Sequence, residues 1–195
     1  MKIAIFGASG QGREVADICA VTGYDEIVFL VGDINETCLW SGKVFVDTPE
    51  QVKMLHDQGF HFAIGIGSPK VRKIIAEKYP YLTFPNLFHP EATIGSRQVE
   101  LMAQTKGCLV MAGTRISDNV VTGDFCLFNF NCSIGHDCII ENYASVMAGV
   151  NILGNVHIGE AAYIGAGSTI MHGTNEAKMI ISDNSMVTVG SVVLT

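Results

Sequence analysis

Residues 126–173 read CLFNFN-CSIGHD-CIIENY-ASVMAG-VNILGN-VHIGEA-AYIGAG-STIMHG, eight successive blocks of six. The third position of each block is large and apolar: Phe128, Ile134, Ile140, Val146, Ile152, Ile158, Ile164 and Ile170. The first is small or β-branched, from Cys126, Cys132 and Cys138 to Ala162 and Ser168. The apolar register extends back to Val110, where ten of eleven positions comply and Thr122 is the exception. Two registers held in phase over this length predict a parallel β-helix of hexapeptides, three blocks to a turn. Residues 18 apart then stack at about 4.8 Å, one strand spacing. After Thr174 the phase breaks and resumes at Ile181, Val187 and Val193, which places a five-residue insertion at 175–179, bulging from one corner. Cys126, Cys132 and Cys138 fall in the small inward register and read as core filler, not as metal ligands or disulfides.

Upstream the composition changes. Residues 1–106 hold ten Lys/Arg, twelve Asp/Glu and all five prolines, whereas 107–174 hold six charges and no proline. Lys2–Phe6, Glu26–Val31 and Phe62–Ile66 read as buried strands. A helix is predicted from near Gln11, a second from Thr48-Pro49-Glu50-Gln51, and a third from Ser68-Pro69, the latter two with an N-cap residue and a first-turn proline. Strands alternating with helices predict a small parallel α/β unit, Rossmann-like, over residues 1–85, with the β-helix over 86–195.

Composition excludes several functions. The net charge of −7 disfavours a nucleic-acid partner held through its phosphates. No stretch approaches the roughly 20 apolar residues of a membrane span. Arg13 and Glu14 interrupt the apolar opening, so a secretory signal is not expected. A cytoplasmic protein with all six thiols reduced follows as the expectation.

Two places carry chemistry. Gly7, Gly10 and Gly12 lie between a strand and a helix, where the backbone can approach a phosphate. Asp33 ends the second strand, where a carboxylate can accept from ribose hydroxyls. The spacing G-x-x-G-x-G differs from the dinucleotide fingerprint, and about 85 residues suit a mononucleotide or nucleotide sugar better. In the coil, His136 is followed by Asp137 on the outward surface, and a neutral imidazole beside a carboxylate can act as a general base. Its rung neighbours are Asp118 below and Gly154 above. His157 is out of register with the His136–His172 column, so no metal site is expected.

In chain order, GASGQG, FAIGIGSPKVRK, FHPEATIG and SIGHDCII together resemble the bacterial sugar O-/N-acyltransferases of the PglD/NeuD-like family, over essentially the whole chain. The resemblance implies a left-handed β-helix, a homotrimer, and acetyl-CoA lying between neighbouring subunits. It implies acetyl transfer to an amino group of a UDP- or dTDP-linked amino sugar, with His136 as base and Asp137 and Asn129 beside it. Gly154, Gly165 and Ala166 match positions whose main chain meets the pantetheine arm. Gly7, Ser9, Gly10, Gln11, Asp33 and Gly67 match the nucleotide-sugar pocket. Gln11 stands where some relatives have histidine, and Gly135 where many have glutamate. The sequence stops at Thr195 without the G-x-P-A tail of many relatives, so the cofactor contacts of that tail are expected to be either absent or replaced by the 175–179 loop. Acetylation of a sugar hydroxyl such as that of a sialic acid, or a non-catalytic nucleotide-sugar scaffold, are the alternatives. Gly154 has two readings: room for the thioester end of acetyl-CoA, or a corner with positive φ.

Overall fold

The computed structural model describes residues 1–33 and 43–194. The first unit is built on β1 (Lys2–Phe6), α1 (Gly10–Val21), β2 (Glu26–Val31), β3 (Lys43–Val46), α2 (Pro49–Asp57), β4 (His61–Ile64) and α3 (Pro69–Lys78). The strands pair in parallel in the order β3-β2-β1-β4. β4 ends at Ile64, two residues earlier than the apolar run suggests, because Gly65 must pass against the start of α1. β3 is an addition that its short sequence did not advertise. Thr48 caps α2 by accepting from the Gln51 N–H at 3.3 Å, while the Ser68 hydroxyl makes no cap bond to α3.

α1 lies between the sheet and the coil. Val15, Ala16 and Ile18 pack on Ile3, Ile5 and Phe29 on one side and on Leu87, Leu109 and Leu127 on the other. α2 and α3 cover the opposite side of the sheet through Val52, Leu55, Ala76 and Tyr79.

The coil has three faces, each a ladder of short parallel strands. The first runs from Leu87–Phe88 through Leu127–Phe128 to Met186–Val187. The second runs from Thr93–Ile94 through Ser133–Ile134 to Val192–Val193, and the third from Val121–Thr122 to Met179–Ile181. From Leu109 to Ile170 partners lie 18 apart, as in Leu127 with Ser145, while the first rungs, such as Leu87 with Leu109, are 22 apart. On the third face His157 pairs with Ile180, so the five inserted residues are accommodated without breaking the ladder. The apolar inward register is buried from Val110 to Ile181, and Phe88, Ile94, Val187 and Val193 at the two ends are half-buried. Each core thiol finds the carbonyl 15 residues on: Cys126 that of Glu141 (3.2 Å), Cys132 that of Met147 (3.1 Å) and Cys138 that of Leu153 (3.1 Å). A small residue with a weak donor suits this register, and burial pushes the Cys132 thiol up to about 11. The five cysteines among the described residues are free and buried; Cys38 lies outside them.

From Gly107 to Gly167 every sixth residue takes a left-handed backbone, with φ between +54° and +73°. These are the corners. The ladder bond at a corner is accepted by the carbonyl of the residue before it, as when the Asn155 N–H donates to His136 O. Glycine, asparagine or aspartate holds most corners, since these tolerate positive φ. Phe125, Tyr143 and Ala161 do so under α3, where the Phe125 and Tyr143 rings stack at 5.4 Å.

There Arg72 joins the two units. The residue is 2% exposed, and its guanidinium donates to the carbonyls of Phe125, Tyr143 and Ala144, to Ser145 Oγ, and to the carbonyls of Ile66 and Gly67. Burial lowers its pKa to about 10, which leaves it charged at neutral pH. The lower end of the coil is closed by α4 (Ser96–Met102), a helix that the hexad reading did not foresee. Met102 enters the core, and the buried Gln98 amide accepts from Val120 N (2.9 Å) and donates to Val120 O, completing the bottom of the third face.

Candidate active site

His136 and Asp137 form the corner after Ser133–Ile134. The left-handed φ of +58° at Asp137 turns both side chains outward, 63% and 36% exposed. The Asp137 carboxylate accepts from Asn119 Nδ2 in the rung below and from His136 Nδ1, each at 2.6 Å. These two bonds, Asn119 first, hold its carboxyl below the usual range. A charged carboxylate only accepts, so Nδ1 carries the proton and Nε2 of the neutral ring carries the lone pair.

The imidazole packs against Gly154 with its Cε1–Nε2 side. A Cβ built there would stand 2.7 Å from both Cε1 and Nε2. Gly154 is not among the residues with positive φ. The missing side chain makes room for the His136 ring, and the ordinary φ overturns the reading of this glycine as a left-handed corner. Beside the ring an open groove of about 560 Å³ crosses the second face, lined by Thr93, Arg115, Ser133, Gly135 and Leu153.

The other expected cofactor positions stand elsewhere. Gly165 and Ala166 follow Tyr163–Ile164 at the corner between the first and second faces. A Cβ on Gly165 would lie 2.6 Å from Val189 N, so rung packing already requires this glycine. Asn129 occupies the same edge and is 5% exposed. Its Nδ2 donates to Gln11 Oε1 (3.2 Å) and its Oδ1 accepts from Phe130 N (2.6 Å). Within one chain Asn129 thus meets the glycine loop, and the second face separates it from His136. The Gln11 amide nitrogen is buried and without a hydrogen-bond partner among the described residues.

The glycines of the loop divide into two kinds. Gly7, Gly12 and Gly65 interlock: a Cβ on Gly12 would stand 2.1 Å from Gly7 O, and one on Gly65 2.5 Å from Gly12 Cα. Close helix–strand packing accounts for them. Gly10 and Gly67 face open space. Ser9 precedes α1 with its hydroxyl unused as a cap, and Asp33 is exposed beyond β2. A second groove, about 470 Å³, lies between Gly67, Ser68 and Lys70 and the coil residues Tyr163, Asn184 and Met186.

Sequence reading missed three participants. Asn119 was visible only as a corner asparagine, and Arg72 only as one cation of a helix. Lys178, within the insertion, donates to the Asp137 carbonyl at 2.5 Å.

Residues 2–79 match the PglD N-terminal domain, and 137–172 match the bacterial transferase hexapeptide of six repeats. The chain is 26% identical over 196 residues to the GDP-perosamine N-acetyltransferase of Escherichia coli O157:H7, covering 91% of this chain and 81% of that one. It is similar in structure to the acetyltransferase domain of PglB from Neisseria gonorrhoeae FA1090, with a TM-score of 0.86 and 26% identity over 99% of this chain and 91% of the other. The same domain in complex with acetyl coenzyme A gives 0.84 at 26% identity, covering 99% and 90%. Among the described residues no helix is long and apolar enough to cross a membrane. With its first part matching the PglD N-terminal domain and its coil matching the bacterial transferase hexapeptide, this chain is similar in both parts to the PglD/NeuD-like bacterial sugar acyltransferases.

Proposed function

We propose that this chain transfers an acetyl group from acetyl-CoA to an amino group of a nucleotide-linked amino sugar. The observation that carries the reading is the His136–Asp137 pair, which engages Nδ1 and leaves Nε2 of the neutral imidazole as the acceptor beside an open groove. Nε2 takes the proton from the sugar amine as that nitrogen attacks the thioester carbonyl. Asp137 fixes the tautomer and stabilises the imidazolium that forms. The E. coli relative is named for N-acetylation of GDP-perosamine, and the Neisseria domain has been solved with acetyl coenzyme A. A GDP-linked amino sugar therefore joins UDP- and dTDP-linked ones as a candidate acceptor.

In this reading the Rossmann-like unit ends near residue 85, and Gly10, Ser9, Gln11, Asp33 and Gly67 receive the nucleotide sugar. The coil is left-handed and the chain acts as a cytoplasmic homotrimer. Gly154 stands on one edge of the second face and Gly165 and Ala166 on the other, so a groove between neighbouring copies can be lined from both edges. Acetyl-CoA supplies the activated carbonyl, and this weakly charged groove holds it mainly through main-chain groups. The test offers GDP-, UDP- and dTDP-linked 4-amino sugars, with matching hydroxy sugars, and follows release of the CoA thiol. Thiol release with an amino sugar, reduced about 10²–10⁴-fold in His136→Ala, is the expected result. Release with hydroxy sugars alone would make the enzyme an O-acetyltransferase. No release with any acceptor, together with no CoA binding, would leave only a scaffold.

A further inference from the structure

The insertion does not hang free of the coil. Its base is bound to the rung above the candidate base: Gly173 N donates to Gly154 O (3.1 Å) and Met179 N to Asn155 O (3.1 Å). The turn closes on itself, with Thr174 N donating to Ala177 O and Ala177 N to Thr174 Oγ1. From this platform the half-buried Lys178 reaches back and donates its Nζ to the carbonyl of Asp137 at 2.5 Å. That carbonyl belongs to a left-handed corner, and the ladder bond there goes to His136 O instead. At the neighbouring column of corners a second cation does the same: Arg72 takes the carbonyls of Phe125 and Tyr143.

We propose that Lys178 is a positioning residue for the His136–Asp137 pair, locking the corner in the geometry that presents Nε2 and placing a positive charge beside it. This rests on the reading of His136 as the base. Facing Asp137 are Asn119, His136 and Lys178; Asp118 in the rung below is engaged by Arg97 at 2.8 Å, and His172 and Glu176 are exposed above. With the Lys178 charge present beside the bonds from Asn119 and His136, Asp137 is held ionised. Removing the charge raises the pH at which Asp137 takes up its proton and takes away a repulsion that an imidazolium at 136 would meet.

The variants are Lys178→Met, which keeps the apolar stem, and Lys178→Arg, which keeps the charge. In the ligand-free protein, imidazole ¹⁵N shifts of His136 should report the Nδ1–H tautomer in the parent, and a mixture in Lys178→Met. The imidazole titration should move up by about 0.3–0.7 of a pH unit, as expected for loss of one charge in a wet site. In turnover, kcat should fall about 3- to 10-fold, the acid limb of kcat/KM should move the same way, and the KM for acetyl-CoA should stay within twofold. Lys178→Arg should recover most of this. An unmoved titration and tautomer in Lys178→Met would overturn the proposal. So would a raised KM for acetyl-CoA with kcat retained, which would make Lys178 a cofactor contact. His136→Ala run alongside keeps the two readings apart: full turnover there defeats the base assignment, while the NMR result still judges the positioning.

Discussion

At the scale of single residues, the closest fit in the site is between an imidazole and a glycine in the next rung. Gly154→Ala places a methyl carbon 2.7 Å from Cε1 and Nε2, well inside contact distance, and the exposed ring is free to swing away. The variant should stay folded, because the backbone at 154 is ordinary. Its kcat should fall by about tenfold or more, since a displaced general base loses much of its contribution. A rise confined to the KM for acetyl-CoA would instead favour the idea that this space belongs to the cofactor. His136, Asp137 and the rung partner Gly154 were all legible from the sequence, because the period of 18 assigns neighbours without any structure. What Gly154 is for was not legible, since a register says which residues stack and not which way a ring lies. Asn129 shows the same limit. Its column could be assigned, but its bond to Gln11 joins residues 118 positions apart and depends on how two units dock.

At the scale of elements, the ladder from Val110 onward could be read strand by strand, including the length of the insertion. The part of the coil before it could not. Phe88 and Ile94 keep the hexad, but the next side of the prism is replaced by α4, whose sequence carries no repeat. Gln98 makes that substitution possible by offering an amide donor and acceptor to Val120, as a strand would. Gln98→Ala leaves both groups of Val120 without partners at the closed end of the core. The loss should be about 1–3 kcal/mol, the penalty for orphaned buried polar groups, seen as a lower Tm with kcat unchanged. A Tm within error of the parent would show that water or a shift of α4 fills the gap. The corner asparagines and glycines carried a further readable signal, but Phe125 and Tyr143 obscured it; their rings stack on each other, and Arg72 takes both their carbonyls.

At the scale of the whole molecule, the relation of the two units depends on a charge that no carboxylate among the described residues neutralises. Arg72 ties Ile66 and Gly67, beside the candidate nucleotide pocket, to three carbonyls and a hydroxyl of the coil. Arg72→Met removes the donors and leaves those acceptors buried. Stability should fall by about 3–5 kcal/mol, the range for breaking a buried charged network. Ser145→Ala is the milder companion, deleting the hydroxyl that donates to Gly67 O at 2.9 Å. It should raise the KM for the nucleotide sugar while leaving that for acetyl-CoA alone. Equal changes in both constants would show that Ser145 serves the coil and not the pocket. The existence of two units was plain from composition, yet the fastening was not, because a buried arginine within Pro69–Lys78 looks in sequence like any helix cation.

The ladder also has a mechanical consequence. Each turn touches only the turns next to it, so a pull on the C-terminus should peel the coil one turn at a time. An 18-residue turn releases roughly 60 Å of contour at about 3.3–3.6 Å per residue. The turn containing the insertion spans 23 residues and should give a longer step, near 80 Å. Peeling should then stall at the turns held by Arg72, where one guanidinium bridges the coil to the first unit. In a force–extension trace the two fastenings would be read in order: the long step when Lys178 lets go, and the force peak when Arg72 does.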